Sequence, residues 1–304
     1  MLVFGEIGYQ EVSVLKNKPY QLYPVEHISN LKELVGHAAN KYGEYAAFIY
    51  ERNKETMRVS YRRFKSDIEA LGTAFFDMGI SNTKIAVIGE NSYEWILTYF
   101  ATVNGGNIIV PLDKELPLSE IKSLLIHSDT TVLVYSDEYS DVADGLRKSG
   151  LELSHYINMA TDLPALIEKG NTLISAGNTS FIDYPINSDA LATILYTSGT
   201  TGSPKGVMIS HKNMAAATVA SCKNVYVEST TLLVLPLHHV YAMTVNILCI
   251  LHWGAMIAIN SGLKNVSSDL VKYKPKTIFL VPLFVETLYK RIWDTANKSG
   301  KINC

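Results

Sequence analysis

The first half of the chain alternates short apolar runs with segments whose apolar residues recur every three or four positions. Apolar runs lie at residues 84–88, 107–112 and 131–135. Between them, the spacing of the apolar residues is that of helices with one buried face. Because the order is strand, helix, strand, helix, strand, the pattern predicts a parallel sheet with helices on its faces.

Residues that favour helix ends support this division. Ser60 is placed to cap a helix that Gly79 would end, because a serine hydroxyl can accept a hydrogen bond from the first turn. Asn91, followed by Glu94 three residues later, has the spacing of a capping pair and predicts a second helix. Pro117 has the fixed backbone angle that suits the beginning of a third.

The second half returns to the same alternation after a weakly patterned stretch, residues 136–187, for which we predict short helices and connections. Ser210 is predicted to cap an alanine-rich helix, and Pro282 to begin the last helix. The predicted strands of this half are residues 191–196, 207–209, 231–235, 255–260 and 277–281.

One long stretch, residues 229–263, contains no charged side chain, and residues 240–259 are apolar enough to raise the question of a membrane span. Asn246, His252 and Gly254 interrupt it. Since buried elements of α/β proteins read as continuous apolar runs, we predict a buried helix, a glycine turn and a buried strand. Peripheral contact with a membrane is left open.

Composition narrows the classes of protein. The chain has 304 residues, of which 47% are hydrophobic and 18% charged, so it can bury a substantial core. Its net charge of −2 gives no reason to expect a nucleic-acid partner. Cys222, Cys249 and Cys304 are few and far apart, which does not fit a disulfide framework. A reducing, cytoplasmic location is the prediction.

The segment with the clearest chemistry runs from Tyr196 to Gly206 and reads Y-T-S-G-T-T-G-S-P-K-G. Glycines allow backbone N–H groups to converge on an anion, hydroxyls donate to phosphate oxygens, and Lys205 adds a positive charge. It is not the P-loop of nucleoside triphosphatases, because proline precedes the lysine and the pattern after it predicts a strand and not a helix. The composition predicts a polyphosphate-binding loop.

This segment resembles the signature phosphate loop of the adenylate-forming, AMP-binding superfamily, which includes acyl-CoA synthetases, nonribosomal-peptide adenylation domains and luciferases. Residues 89–95, 104–106 and 110–113 are similar to its N-terminal sheet region, and residues 235–241 resemble a motif beside the carboxylate substrate. The resemblance covers most of residues 30–295. Long-chain fatty acyl-CoA synthetases are the most similar members, since amino-acid-activating domains usually carry an aspartate where 229–263 has no acid.

The resemblance implies roles for particular residues. Lys205 would add a positive charge beside the phosphates, and His239 would lie near the carboxylate. The residues implied to hold the β- and γ-phosphates of ATP are Thr197, Ser198, Gly199, Thr200, Thr201 and Gly202. Thr197 is also implied to lie near Mg²⁺, and coenzyme A would be the second co-substrate.

The resemblance also implies the architecture: an α/β fold of stacked, mostly parallel sheets flanked by helices, as in the large N-terminal domain of acyl-CoA synthetases. Residues 73–209 would form one sheet subdomain, and residues 22–72 with 210–304 a second one. The family motifs for adenine, ribose and an acidic magnesium ligand, and the C-terminal domain, have no counterpart in the 304 residues. We therefore expect a truncated domain, inactive by itself.

Three functions are open at this point. The first is a fragment of a long-chain fatty acid–CoA ligase, and the second is a ligase for a shorter or aromatic carboxylate. The third is a short, non-catalytic nucleotide-binding or partner-binding module. An incomplete sheet would leave apolar surface exposed, so association into a homodimer is a further expectation.

Overall fold

The computed structural model describes residues 22–197 and 205–298. In chain order its strands are β1 (Ala46–Arg52), β2 (Glu55–Ser60), β3 (Lys84–Ile88), β4 (Ile108–Pro111), β5 (Val132–Tyr135), β6 (His155–Asn158), β7 (Leu191–Thr197), β8 (Lys205–Ser210), β9 (Thr230–Leu233) and β10 (Met256–Ile259). They form two sheets.

The helices connect these strands. They are α1 (Leu31–Tyr42), α2 (Tyr61–Asp77), α3 (Tyr93–Val103), α4 (Leu118–His127), α5 (Ser140–Lys148), α6 (Asp162–Ser175), α7 (His211–Asn224), α8 (Val240–Ala242), α9 (Cys249–Trp253), α10 (Val266–Tyr273) and α11 (Pro282–Lys298). A π-helical segment, Met243–Leu248, joins α8 to α9.

The larger sheet has six strands in the order β6-β5-β3-β4-β7-β8. Its first five strands are parallel, and β8 pairs antiparallel with β7. The smaller sheet has the order β2-β1-β10-β9, in which β1, β10 and β9 are parallel and β2 is antiparallel to β1. The predicted class, stacked and mostly parallel sheets flanked by helices, is confirmed.

Alternate residues of β3 show how the layers are built. Ile85 and Val87 belong to a core that also contains residues of the smaller sheet, whereas Ala86 and Ile88 belong to a second core with α4 and α5. Successive side chains of a strand point to opposite faces, so this sheet is covered on both. A third core lies on the outer face of the smaller sheet, against α10 and α11. The layers therefore alternate helix, sheet, helix, sheet, helix.

The charge-free stretch is part of the central core. It forms β9, the helical segment 240–253 and β10, and Gly254 makes the turn with a φ of 74°. Ile247, Leu248 and Ile250 are fully buried. The prediction of a buried helix, glycine turn and buried strand is thus confirmed. Within residues 22–197 and 205–298, no helix has the length and apolarity that crossing a bilayer requires.

Three predictions of local structure were wrong. Residues 277–281 do not form a strand; Thr277 makes one isolated parallel bridge with Thr231. The strand β6 was missed because His155–Asn158 is short and half polar. Such a sequence can form a strand here because β6 lies at the edge of the sheet and pairs with β5 alone. Asn91 does not cap α3, since Ser92 occupies the cap and accepts from the N–H of Trp95.

Candidate functional site

A cleft of about 480 Å³ opens at the carboxyl ends of the parallel strands, where both sheets contribute residues. The larger sheet supplies the turn that follows β3, including Gly89, Glu90 and Asn91. The smaller sheet supplies His238, which follows β9, and Asn260, which follows β10. Open parallel sheets bind ligands at this end of their strands, so the cleft is a candidate site.

The predicted phosphate loop is carried by β7 and β8. Thr197 and Lys205 face each other as the last pair of the antiparallel register, and both are exposed. Because β7 runs parallel to β4, Thr197 lies at the same edge of the larger sheet as the turn after β3. The predicted phosphate ligands Ser198, Gly199, Thr200, Thr201 and Gly202 lie outside the described residues.

The surroundings of Lys205 differ from those of the next lysine along the chain. It is exposed and makes no ion pair with a described residue. Lys212, seven residues later, is instead paired with Asp189 at 3.2 Å. An exposed lysine that no described residue holds in an ion pair has its charge available for phosphate oxygens.

The loop end of the hairpin is held by a contact with α4. Tyr196 lies opposite Gly206, and its hydroxyl is 2.8 Å from Nδ1 of His127 at the end of α4. Partial burial raises the pKa of Tyr196, so the hydroxyl stays protonated at neutral pH. A side chain at position 206 would bring its Cβ to 2.9 Å from Ile194 Cγ2. The glycine is therefore required by the packing of the hairpin.

The predicted carboxylate motif follows β9. His238 is largely buried, its ring centroid lies 4.1 Å from that of His239, and its Nε2 is 3.7 Å from Asp113 Oδ1. Burial, together with the neighbouring His239, lowers the pKa of His238 to about 4, although Asp113 opposes this shift. His238 is thus neutral at pH 7 and forms no true salt bridge with Asp113. His239 is exposed and immediately precedes α8.

The predicted residues are divided between the two sheets. Thr197 and Lys205 belong to the larger sheet, whereas His239 follows a strand of the smaller one. None of these three lines the cleft; His238 does. In the described part of the chain, no group of three or more His, Cys, Asp or Glu residues could hold a metal ion. A magnesium ion near Thr197 therefore stays a prediction.

Sequence reasoning predicted no contact between the two sheets for Asn91, a residue that lines the cleft. Its Nδ2 donates to the carbonyl oxygen of Leu235 at 2.8 Å, and its Oδ1 accepts from the N–H of Leu237 at 3.1 Å. The adjacent Ser92 was the signal, because two good cap residues in succession leave one of them available for another contact.

The other polar side chains of the cleft mostly have partners. Glu90 accepts from the hydroxyl of Ser136 at 2.6 Å, and Glu94 pairs with Arg52. Tyr50 and Tyr93 stack with centroids 5.7 Å apart. These contacts fix the walls of the cleft before any ligand binds.

Comparison with known proteins agrees with this arrangement. The AMP-binding enzyme family matches residues 35–302. The chain is 27% identical over 300 residues to fatty acyl-CoA synthetase B of Dictyostelium discoideum, covering 90% of this chain and 44% of that protein. It is 25% identical over 287 residues to the chloroplastic long-chain-fatty-acid–[acyl-carrier-protein] ligase AEE15 of Arabidopsis thaliana, covering 86% of this chain and 39% of that protein.

Among solved structures, the N-terminal domain of FACL13 from Mycobacterium tuberculosis superposes with a TM-score of 0.72 and 21% identity, covering 86% of this chain and 64% of that one. This likeness shows the fold of an acyl-CoA synthetase N-terminal domain. The chain spans about two fifths of the length of the two curated relatives. With a family match over most of its residues, the chain belongs to the AMP-binding enzyme family.

Proposed function

We propose that the protein containing this chain is an AMP-forming ligase that activates a long-chain fatty acid and transfers the acyl group to the thiol of coenzyme A. The single observation that carries the proposal is the Thr197–Lys205 pair at the carboxyl edge of the larger sheet, which brackets the hydroxyl- and glycine-rich loop. The names of the two curated relatives support the substrate class, because one names a fatty acyl group and the other a long-chain fatty acid.

In the first step, a carboxylate oxygen attacks the α-phosphorus of ATP, and the bond to pyrophosphate breaks. The products are acyl-adenylate and pyrophosphate. The loop from Thr197 to Gly202 would hold the β- and γ-phosphates, and Lys205 would offset the charge that grows on the leaving group. Mg²⁺, when bound beside Thr197, would neutralise part of the phosphate charge.

In the second step, the thiol sulfur attacks the acyl carbon, and AMP leaves. His239, exposed and adjacent to the cleft residue His238, would contact the carboxylate and help to align it. Acyl-carrier protein is the alternative acceptor, because the Arabidopsis relative is named for it and not for coenzyme A.

The phosphate part of the proposal can be tested on the 304-residue chain. Calorimetric titration with magnesium tripolyphosphate should detect binding, and Lys205→Ala should weaken it at least about tenfold, the worth of one charge-assisted contact. Lys212→Ala is the matched control, because that lysine is also exposed but paired with Asp189. Equal affinities of the two variants would remove Lys205 from the site.

The substrate part needs fatty-acid-dependent exchange of pyrophosphate into ATP. For the gene product that carries this chain, exchange should be fastest with long-chain acids, and a preference for short or aromatic acids would favour the alternative ligase. Coenzyme A and acyl-carrier protein are then compared as acceptors. We predict no exchange by the 304 residues alone, since they contain no counterpart of the family's acidic magnesium motif.

A further inference from the structure

Asn91 connects the two sheets through a contact that resembles strand pairing. Its side-chain amide donates to the carbonyl of Leu235 and accepts from the N–H of Leu237, two main-chain groups that are two residues apart. A neighbouring strand would offer the same donor and acceptor. Pro236 lies between the two partners.

The chemistry of the contact requires a carboxamide. Asparagine carries both a donor and an acceptor at the end of a short side chain, whereas aspartate at neutral pH can only accept. Ser92 supplies the cap of α3, so the amide of Asn91 is not needed there. Asn91 is therefore available to bond across the cleft.

The segment that Asn91 contacts lies between a strand and a helix and belongs to neither. Strand β9 ends at Leu233, and α8 begins only at Val240. His238 and His239 lie in the interval, immediately after the two bonded residues. A fixed position for Leu235 and Leu237 therefore limits where the two histidines can lie.

We propose that Asn91 is a positioning residue that holds the His238–His239 segment in register with the larger sheet, which carries Thr197 and Lys205. In this way the carboxylate side of the site is aligned with its phosphate side, although the two belong to different sheets. The role in catalysis rests on the proposed function; the mechanical role does not, and it is tested without ligand.

His238 is a natural reporter of this contact. The groups that face it are His239, Asp113 and Lys114, and burial keeps its pKa at about 4. If the segment is released, His238 gains access to water, and its pKa moves upward toward the usual 6.5. A general loss of stability elsewhere would not change this titration.

The experiment compares Asn91→Ala with Asn107→Ala in the ligand-free chain. Asn107 is the matched control: it is buried and also makes two side-chain bonds to main chain, to Thr83 N–H and Ile80 C=O, but both partners precede β3 of the larger sheet. In Asn91→Ala, the Leu237 amide should exchange with solvent roughly tenfold faster, and the His238 titration should move upward. In Asn107→Ala, both should match the wild type.

The proposal would be overturned if the Leu237 amide exchanged at the same rate in Asn91→Ala as in Asn107→Ala and His238 titrated identically in the two variants. If Asn91→Ala fails to fold, the wild type still decides. The Asn91 side-chain amide protons should then exchange at least tenfold slower than those of Asn53, which is exposed in the β1–β2 turn. Equal exchange rates for Asn91 and Asn53 would show that the Asn91 side chain does not hold Leu235 and Leu237. Failure to bind magnesium tripolyphosphate would instead count against the proposed function alone, because neither measurement here uses a ligand.

Discussion

At the scale of single residues, Asn246 departs from the usual rule that buried polar groups are paired. It is fully buried in the π-helical segment between β9 and β10, and neither its Oδ1 nor its Nδ2 has a partner among the described residues. An unpaired buried amide costs about 1–3 kcal/mol. The unpaired amide therefore lowers the free energy of unfolding of the protein by about this amount.

Replacing Asn246 with leucine should raise the free energy of unfolding by about 1–2 kcal/mol, because an apolar side chain of similar size removes the unpaired amide. Urea denaturation measures it. Asn107→Leu is the control and should destabilise, since Asn107 makes two hydrogen bonds. A loss of stability in Asn246→Leu would mean that the amide has a partner in solution.

A second residue couples stability to pH. His211, the first residue of α7, is buried, and burial lowers its pKa from 6.5 to about 4. Between these two values the unfolded chain binds the proton more readily than the folded chain does. The contribution of neutral His211 is therefore fully present above pH 6.5 and is lost as the pH falls toward 4.

We expect His211 to account for a loss of roughly 3 kcal/mol in unfolding free energy between pH 7 and pH 4. His211→Gln should remove that part of the pH dependence, whatever its effect at pH 7. The measurement is urea denaturation at a series of pH values. His27→Gln, at an exposed position, should keep the full slope. An unchanged slope in His211→Gln would contradict the assignment.

At the scale of elements, the β7–β8 hairpin depends on a close approach at Gly206. The glycine lies opposite Tyr196, and an added Cβ would meet Ile194 Cγ2 at 2.9 Å and the Tyr196 ring at 3.4 Å. Ile194 is itself buried in the second core, between the larger sheet and helices α4 and α5, and cannot easily move. The hairpin therefore tolerates only glycine at this position without a shift.

Gly206→Ala should lower the free energy of unfolding by about 1–3 kcal/mol through overpacking. Gly36→Ala is the matched control, because Gly36 lies within α1 and an added Cβ would meet no atom within 4 Å. That variant should stabilise by up to about 1 kcal/mol, since alanine favours a helix. Thermal and urea denaturation of both proteins measure the difference, and equal signs would refute the packing argument.

The same elements show what sequence patterns can predict. Ser60 and Ser210 were recognised as caps because cap chemistry is local, and both accept the expected backbone N–H. The buried strand 84–88 was equally clear. Asn91 was misassigned because its partners, Leu235 and Leu237, are distant in sequence. No local pattern specifies which segment of one sheet will lie against a turn of the other.

In the candidate site too, local features could be predicted from the sequence and contacts between distant segments could not. The loop that includes Thr197 and Lys205 was recognisable from composition and order, and its strands were predicted on both sides. The cleft, by contrast, is made by six strand ends from two sheets, so its shape depends on how the sheets stack. Only the structure shows that His238, not His239, lines it.

At the scale of the whole molecule, the outer layer over the smaller sheet is incompletely covered. Phe284 and Leu288 of α11 pack toward the sheet, but other apolar residues of this helix face solvent. Leu283 is 73% exposed and Ile292 67%. An apolar helix surface of this kind favours association, and a second copy of the chain is the occupant always present in a purified sample.

We therefore predict that the chain associates with itself as its concentration rises. The double variant Leu283→Lys and Ile292→Lys should weaken association at least about tenfold, because each isoleucine or leucine buried at an interface is worth about 1.5–3 kcal/mol. Sedimentation velocity over a concentration series measures it. Ile126→Lys is the control: this residue is also exposed, but lies on α4 at the opposite face of the molecule. If wild type and double variant are both monomeric at every concentration, the surface of α11 does not drive a homodimer.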